Sequence, residues 1–263
     1  MLSPIRNMRD AFSVKDLNVA ITGGAQGIGR GIAQAFAELG ANIAILDINR
    51  EVGMQEAEKI QDLGVKSCCI HCDVTDMKSL KAAAEEAYAR FDHFDVLVNN
   101  AGISRAGKFF DMDEELSGFY KVTNIDLNGM VNSTYCFGKR MRDAGRGGSI
   151  ISITSICAQI TPEDFYTSGY NVSKAGMDHF TRSMAIELAP YDIRVNAVAP
   201  GFIHSNFAMP PVLEESRKRK TPLGRMGEPI EIGALCVYLA SPAANMVTGS
   251  VYVIDGGYMV NGN

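Results

Sequence analysis

The chain has 263 residues, a net charge of −5, and is 46% hydrophobic and 21% charged. That length suits one large α/β domain with a full core, and the acidic balance excludes nucleic acid as a main partner. No apolar run is long enough to span a bilayer, and the first residues lack the apolar centre of a secretion signal, so a cytoplasmic protein without membrane partners is expected.

A polar leader, residues 1–13, precedes the apolar strand Leu17–Thr22. The strand runs into Gly23-Gly24-Ala25-Gln26-Gly27-Ile28-Gly29, and Ile28, Ile32, Phe36 and Leu39 then recur at helical spacing. A strand, a glycine turn and a helix make a pyrophosphate site: the glycines admit the phosphates and the helix N-terminus supplies N–H groups and positive dipole. The next strand ends in Asp47, eighteen residues after Gly29, followed by Ile48. An acid there accepts both ribose hydroxyls of an adenosine and repels a 2′-phosphate, which favours NAD over NADP. Arg50 could offset that repulsion, and Asp47 could instead cap a helix.

Strands and helices then alternate. Val65–Cys72 reads as a strand leading to Asp73 and Val74, placed to border an adenine. Met77–Arg90 reads as a helix, Phe94–Val98 as a strand and Glu114–Asp143 as a long helix. The strand Ser149–Ile153, the helix Tyr170–Leu188 and the strand Ile193–Val198 follow, and a helix over Glu228–Leu239 and the strand Ser250–Ile254 close the series. The alternation predicts a Rossmann-like, doubly wound α/β fold: a mainly parallel seven-stranded sheet, helices on both faces, and ligands at the strands' carboxyl ends. Cys69 and Cys72 form a C-x-x-C, but residues three apart on a strand face opposite ways and no second pair completes a zinc site, so they read as core and no metal is expected.

Tyr170 and Lys174 stand four apart at a predicted helix start, so phenol and ammonium share one face. A nearby cation favours the phenolate, each pKa unit being worth ~1.4 kcal/mol, which fits a tyrosine for acid/base work. Such a pair alone is also an ordinary helix surface.

Thr22-Gly23-x-x-x-Gly27-x-Gly29, Asn99-Asn100-Ala101-Gly102, Ser155, Tyr170-x-x-x-Lys174 and Pro200-Gly201 together resemble the short-chain dehydrogenase/reductases, the single-domain subgroup, over about residues 14–258. Ile193-Arg194-Val195-Asn196 and Asp255-Gly256-Gly257 add smaller matches. The resemblance implies Tyr170 as acid/base, Ser155 as the donor to the substrate oxygen, and Lys174 as the group that lowers the tyrosine pKa and binds the nicotinamide ribose. It implies Asn100, Ala101 and Gly102 along the adenosine, Asn99 pinning neighbouring strands, and Pro200, Gly201, Ile203 and Ser205 at the nicotinamide. It also implies a homotetramer or homodimer.

Two departures stand out. Asp126 occupies the place where the family carries an asparagine that completes a proton relay, with Asn124 and Asn128 nearby. A carboxylate there leaves its backbone carbonyl for a relay water but adds negative charge near Lys174. The stretch from Ser155 to Tyr170, with Pro162 to Tyr166, is also long. Residues 201–224 read as a substrate lid carrying Phe207, Met209 and Leu213 with the polar His204 and Asn206. Ser104, Arg105 and Ile156 to Phe165 complete the pocket walls, and Arg217 to Lys220 read as a solvated helix face. The expected activity is NAD-dependent interconversion of a secondary alcohol and a ketone, the substrate a polyol, sugar or sugar acid. The alternatives are an NADP-dependent 3-oxoacyl or steroid ketone reductase and a nucleotide-binding regulatory protein without turnover.

Overall fold

Near-continuous burial along the strands builds a sheet covered on both faces, as parallel sheets require. The computed structural model describes residue 5 and residues 7–162, 166–205 and 211–261. Seven strands, β1 (Asn18–Thr22), β2 (Asn42–Asp47), β3 (Ser67–His71), β4 (Val96–Asn99), β5 (Gly148–Ile153), β6 (Ile193–Pro200) and β7 (Val251–Ile254), pair in the order β3-β2-β1-β4-β5-β6-β7. All six pairings are parallel. The order reverses between β1 and β4, which opens the crevice at the strands' carboxyl ends where ligands bind in such sheets.

Alternation sorts the side chains between the two faces. Val19, Ile21, Ile43, Ile45, Val98 and Ile151 pack with Ile32 and Phe36 of α2 (Gly27–Glu38), Ala57 and Ile60 of α3 (Arg50–Gln61) and Ile232 and Cys236 of α10 (Pro229–Ala240). Ala20, Leu46, Ile70, Leu97 and Ile150 pack with Leu80 and Ala84 of α4 (Met77–Phe91), with the long helix over residues 117–144, and with Ala185 and Leu188 of α8 (Ser168–Leu188). Cys69 lies in the first layer and Cys72 in the second. Burial holds their thiols up at about 11 and about 12, as core residues rather than ligands.

Five sequence expectations change. The leader is not polar throughout: α1 (Met8–Ala11) buries Ala11 to 1% exposure, Phe12 packs against Tyr238, and Val14 just after it is also 1% exposed. The long helix is not uniform. It runs as α5 (Ser117–Thr123), a π-helical turn (Asn124–Asn128), α6 (Gly129–Ser133), a second π-turn (Thr134–Gly138) and α7 (Lys139–Ala144). Asn99 pins β4 to that helix rather than to strands: its Nδ2 donates to Thr134 Oγ1 at 2.9 Å, and Ser133 Oγ donates to its Oδ1 at 2.6 Å. The lid span holds a helix, α9 (Pro211–Lys220), while Asn206, Phe207 and Met209 lie outside the described residues. Arg217 of that helix is not solvated: it is 2% exposed, stacks over the Phe202 ring and donates to Tyr258 Oη at 3.0 Å.

Candidate active site

The glycine turn explains itself by contact. Gly23 and Gly27 hold φ of +63° and +55°, a region that side chains resist. A Cβ on Gly29 would stand 2.1 Å from Gly23 O and 2.5 Å from Asn100 Nδ2, so only glycine brings α2 this close to β1. The Gln26 side chain does not cap α2. A narrow glycine cradle at a helix N-terminus fits a dinucleotide's pyrophosphate.

Thr22 and Asn100 lock that cradle to β4. Thr22 Oγ1 accepts the N–H groups of Asn100 and Ala101 at 3.0 and 3.1 Å, and Asn100 Nδ2 donates to the carbonyls of Thr22 and Gly23 at 3.0 and 2.8 Å. The sequence offers one signal for this role of Thr22, its place just before the glycines. Asp47, at the carboxyl end of β2, is 8% exposed. One oxygen accepts the Ala25 N–H at 3.0 Å and the other the Asn49 N–H at 2.9 Å, so its carboxylate also ties the glycine turn to the next helix. Ile48 beside it is exposed. Asp73 turns its carboxylate onto Thr75, while Asn132 Nδ2 donates to Val74 O at 3.1 Å.

At the far side of the crevice, Pro200 ends β6. A Cβ on Gly201 would meet Asp255 at 2.7 Å, and Asp255 in turn accepts the N–H groups of Gly257 and Met259, which accounts for the terminal Asp-Gly-Gly. Ile203 bridges to Gly227, and Ser205 follows it among the described residues. Arg194 and Asn196 are structural: Arg194 caps α10 by donating to Leu239 O at 2.6 Å, and Asn196 holds Val247 O at 2.8 Å.

Ser155, Tyr170 and Lys174 converge past the end of β5. Ser155 Oγ accepts the Cys157 N–H at 3.1 Å, which starts a short turn, and its hydroxyl faces the Tyr170 phenol, whose ionised form it favours. Lys174, 3% exposed, donates to Ile153 O at 3.1 Å and places its ammonium 5.2 Å from the Tyr170 ring. Burial pushes the Tyr170 phenol above its ordinary value, and the Lys174 charge opposes that without overcoming it. The helix pairing alone suggests a lowered phenol; the cost of burying a phenolate decides the direction.

Asp126 is fully buried on the first π-turn, with Oδ2 3.2 Å from Lys174 Nζ and Oδ1 accepting the Ile103 N–H at 2.8 Å. The side chain, not only a backbone carbonyl, therefore faces the lysine. Asn128 instead bonds Asn124 on the exposed side of the helix, so neither takes the inward place. Burial raises the Asp126 carboxyl against the pull of Lys174. Burial would lower the Lys174 ammonium, but the Asp126 and Tyr170 charges outweigh it and hold it up.

The rim is partly polar. His204 stands 3.9 Å from Glu228 and Arg105 is exposed, while Gly107 N–H donates to Tyr166 O at 2.8 Å and so joins the loop after β4 to the stretch before α8. Glu163, Asp164 and Phe165 lie outside the described residues.

Comparison with known proteins agrees with this geometry. Residues 23–259 match the family model described as "Enoyl-(Acyl carrier protein) reductase". A short-chain type dehydrogenase/reductase from Mycobacterium marinum superposes with a TM-score of 0.90 at 36% identity, covering 95% of this chain and 98% of that one. The chain is a short-chain dehydrogenase/reductase. Among similar members, the L-rhamnose 1-dehydrogenase (NAD(P)(+)) of Azotobacter vinelandii is 37% identical, over 94% of this chain and 98% of its own. The galactitol 2-dehydrogenase (L-tagatose-forming) of Cereibacter sphaeroides is 36% identical, over 96% and 98%. This short-chain dehydrogenase/reductase is thus an NAD(P)-dependent oxidoreductase that interconverts alcohols and ketones.

Proposed function

We propose that the chain is a single NAD-binding unit that oxidises a secondary alcohol of a sugar, polyol or sugar acid, or reduces the corresponding ketone, with Tyr170 as acid/base. The observation that carries this reading is the convergence of Ser155, Tyr170 and Lys174 past the end of β5. When bound, the nicotinamide dinucleotide accepts or supplies the hydride. Gly23, Gln26, Gly27, Ile28 and Gly29 would hold its pyrophosphate, and Asp47 and Ile48 its adenosine ribose. Asp73, Val74 and Asn100 to Gly102 would hold the adenine side, and Pro200, Gly201, Ile203 and Ser205 the nicotinamide.

Ser155 holds the substrate oxygen, and Tyr170 Oη takes the hydroxyl proton in oxidation and returns it in reduction. Lys174 stabilises the phenolate that forms. In the resting chain burial keeps the phenol protonated, ready to donate to a ketone oxygen. The Asp47 carboxylate, fixed by two N–H groups, supports NAD over NADP because it meets a 2′-phosphate with like charge.

The polyol reading draws on the polar rim of Ser104, Arg105 and His204 and on the named activities of the rhamnose and galactitol dehydrogenases. One observation favours a second reading, an acyl or steroid ketone: Phe109, on the loop that reaches Tyr166, packs edge-on against Phe110 and against Phe119 of α5. Residues 201–224 act as the lid. Exposed Tyr120, Tyr135, Val172 and Ile186 on the long helix and α8 support assembly into a homodimer or homotetramer. No helix among the described residues is long and apolar enough to cross a membrane, and the six cysteines are free, which supports a cytoplasmic setting.

The test is reduced-nicotinamide absorbance with polyols, aldonic acids, steroids and 3-oxoacyl esters, each with NAD(H) and NADP(H). Turnover of a polyol or sugar acid with NAD(H) is the expected result. Turnover of only the apolar classes, or only with NADP(H), would overturn the reading.

A further inference from the structure

Asp126 is a buried charge at the heart of the site, where the family resemblance expects an asparagine. It has no exposed surface, its Oδ2 lies 3.2 Å from Lys174 Nζ, and its Oδ1 is fixed by the Ile103 N–H at 2.8 Å. Gly102 packs against it so closely that a Cβ would meet Oδ2 at 3.1 Å. Lys174 is equally fixed, donating to Ile153 O and lying 5.2 Å from the Tyr170 ring. The other titratable groups facing this pair are Tyr170 and Asp178 on α8 and Cys157 on the turn after β5. Burial holds the Cys157 thiol up and neutral, and burial likewise raises the Asp178 carboxyl. Asp126 is therefore the carboxylate in ion-pair contact with the lysine.

We infer that Asp126 is a positioning residue: its carboxylate is the counter-ion that fixes the Lys174 ammonium beside Tyr170 and thereby tunes that tyrosine's proton exchange. The inference rests on Tyr170 being the acid/base. The counter-ion acts in two ways with opposite costs. It keeps a buried ammonium charged in alkaline solution, and its own negative charge disfavours a phenolate nearby. An asparagine keeps the shape and the acceptor for Ile103 N–H but removes the charge. With the charge gone, the phenolate forms at lower pH and the lysine also loses its proton at lower pH.

The test needs no substrate. Phenolate absorbance is titrated in the full-length protein and in Asp126→Asn, each against its own Tyr170→Phe background, so that the difference reports Tyr170 alone. The expected result is a midpoint displaced to lower pH in Asp126→Asn, with NAD+ binding retained. Where an alcohol is turned over, the pH profile of kcat/KM moves the same way and closes earlier on its alkaline side. A structural role would lower the thermal midpoint and leave both titrations in place. An unmoved or raised midpoint in a folded, NAD-binding Asp126→Asn overturns the inference. Should that variant fail to fold, Asp126→Ser, which keeps a hydroxyl for Ile103, answers by the same readout. A displaced midpoint with no turnover of any alcohol upholds the inference and counts against the substrate reading alone.

Discussion

Removing the Asp47 carboxylate should loosen two things at once, and the structure sets the size of each. In Asp47→Ala the Ala25 N–H loses its acceptor at 3.0 Å, and Ala25 is 1% exposed. A buried N–H without a partner costs about 1–3 kcal/mol. The Asn49 N–H, bonded at 2.9 Å, belongs to an exposed residue that can turn to water, so its loss adds little. A net loss of about 2 kcal/mol lowers the thermal midpoint by about 4–8 °C in a domain of this size. The cofactor effect is separate. A ribose hydroxyl bonded to a charged acceptor contributes about 1.5–3 kcal/mol, so NAD+ affinity falls about 10- to 150-fold. NADP+ loses a like-charge neighbour and does not weaken in step, so the preference between the two narrows. Calorimetric titration with NAD+ and NADP+ beside a thermal melt reads all three effects. Unchanged NAD+ affinity in a variant whose melting point has dropped would refute the ribose role and leave Asp47 as a tether only.

Other expectations follow from close contacts and from one depressed carboxyl. Gly29→Ala drives a Cβ to 2.1 Å from Gly23 O and should abolish NAD+ binding, whereas Gly31→Ala, 2.4 Å from Pro229 Cβ, disturbs only the α2–α10 contact. Gly31→Ala should therefore cost about 1–3 kcal/mol in a thermal melt while NAD+ affinity holds. Equal loss of NAD+ affinity in both would contradict the cradle assignment. Glu231, paired with Arg225 and bonded to the Glu228 N–H, is lowered from 4.5 to about 2. A depressed folded pKa contributes stability that is full above 4.5 and lost as pH falls towards 2, so Glu231→Gln should flatten acid unfolding in that window. The effect is small because the pair is largely exposed, and an unaltered acid slope would show that solvent screens it out.

The parts of this protein that local chemistry dictates were readable in the chain. Apolar strands, the glycine turn, Asp47 at a strand end and the Tyr170–Lys174 spacing each carry their meaning within about one element. What escaped depends on distant partners. Arg217 sits in a basic run that looks solvated, yet its stack on Phe202 and its bond to Tyr258 bury it. Asn99 finds its partners on a helix 34 and 35 positions on, not on the adjacent strands. Ala11 of the leader and Val14 just after it gain their cover from packing that no local periodicity announces. The direction of the Tyr170 shift was missed for a different reason: spacing shows the cation beside the phenol but not the depth at which both are buried.

The most direct test of the catalytic account is a single-turnover measurement of reduced nicotinamide in the native chain and in Tyr170→Phe, with NAD+ saturating and a polyol substrate. The account predicts rapid formation in the native chain and near-complete loss in Tyr170→Phe, with NAD+ affinity unchanged, because only the proton acceptor has been removed. Hydride transfer that survives in Tyr170→Phe at the native rate would contradict it.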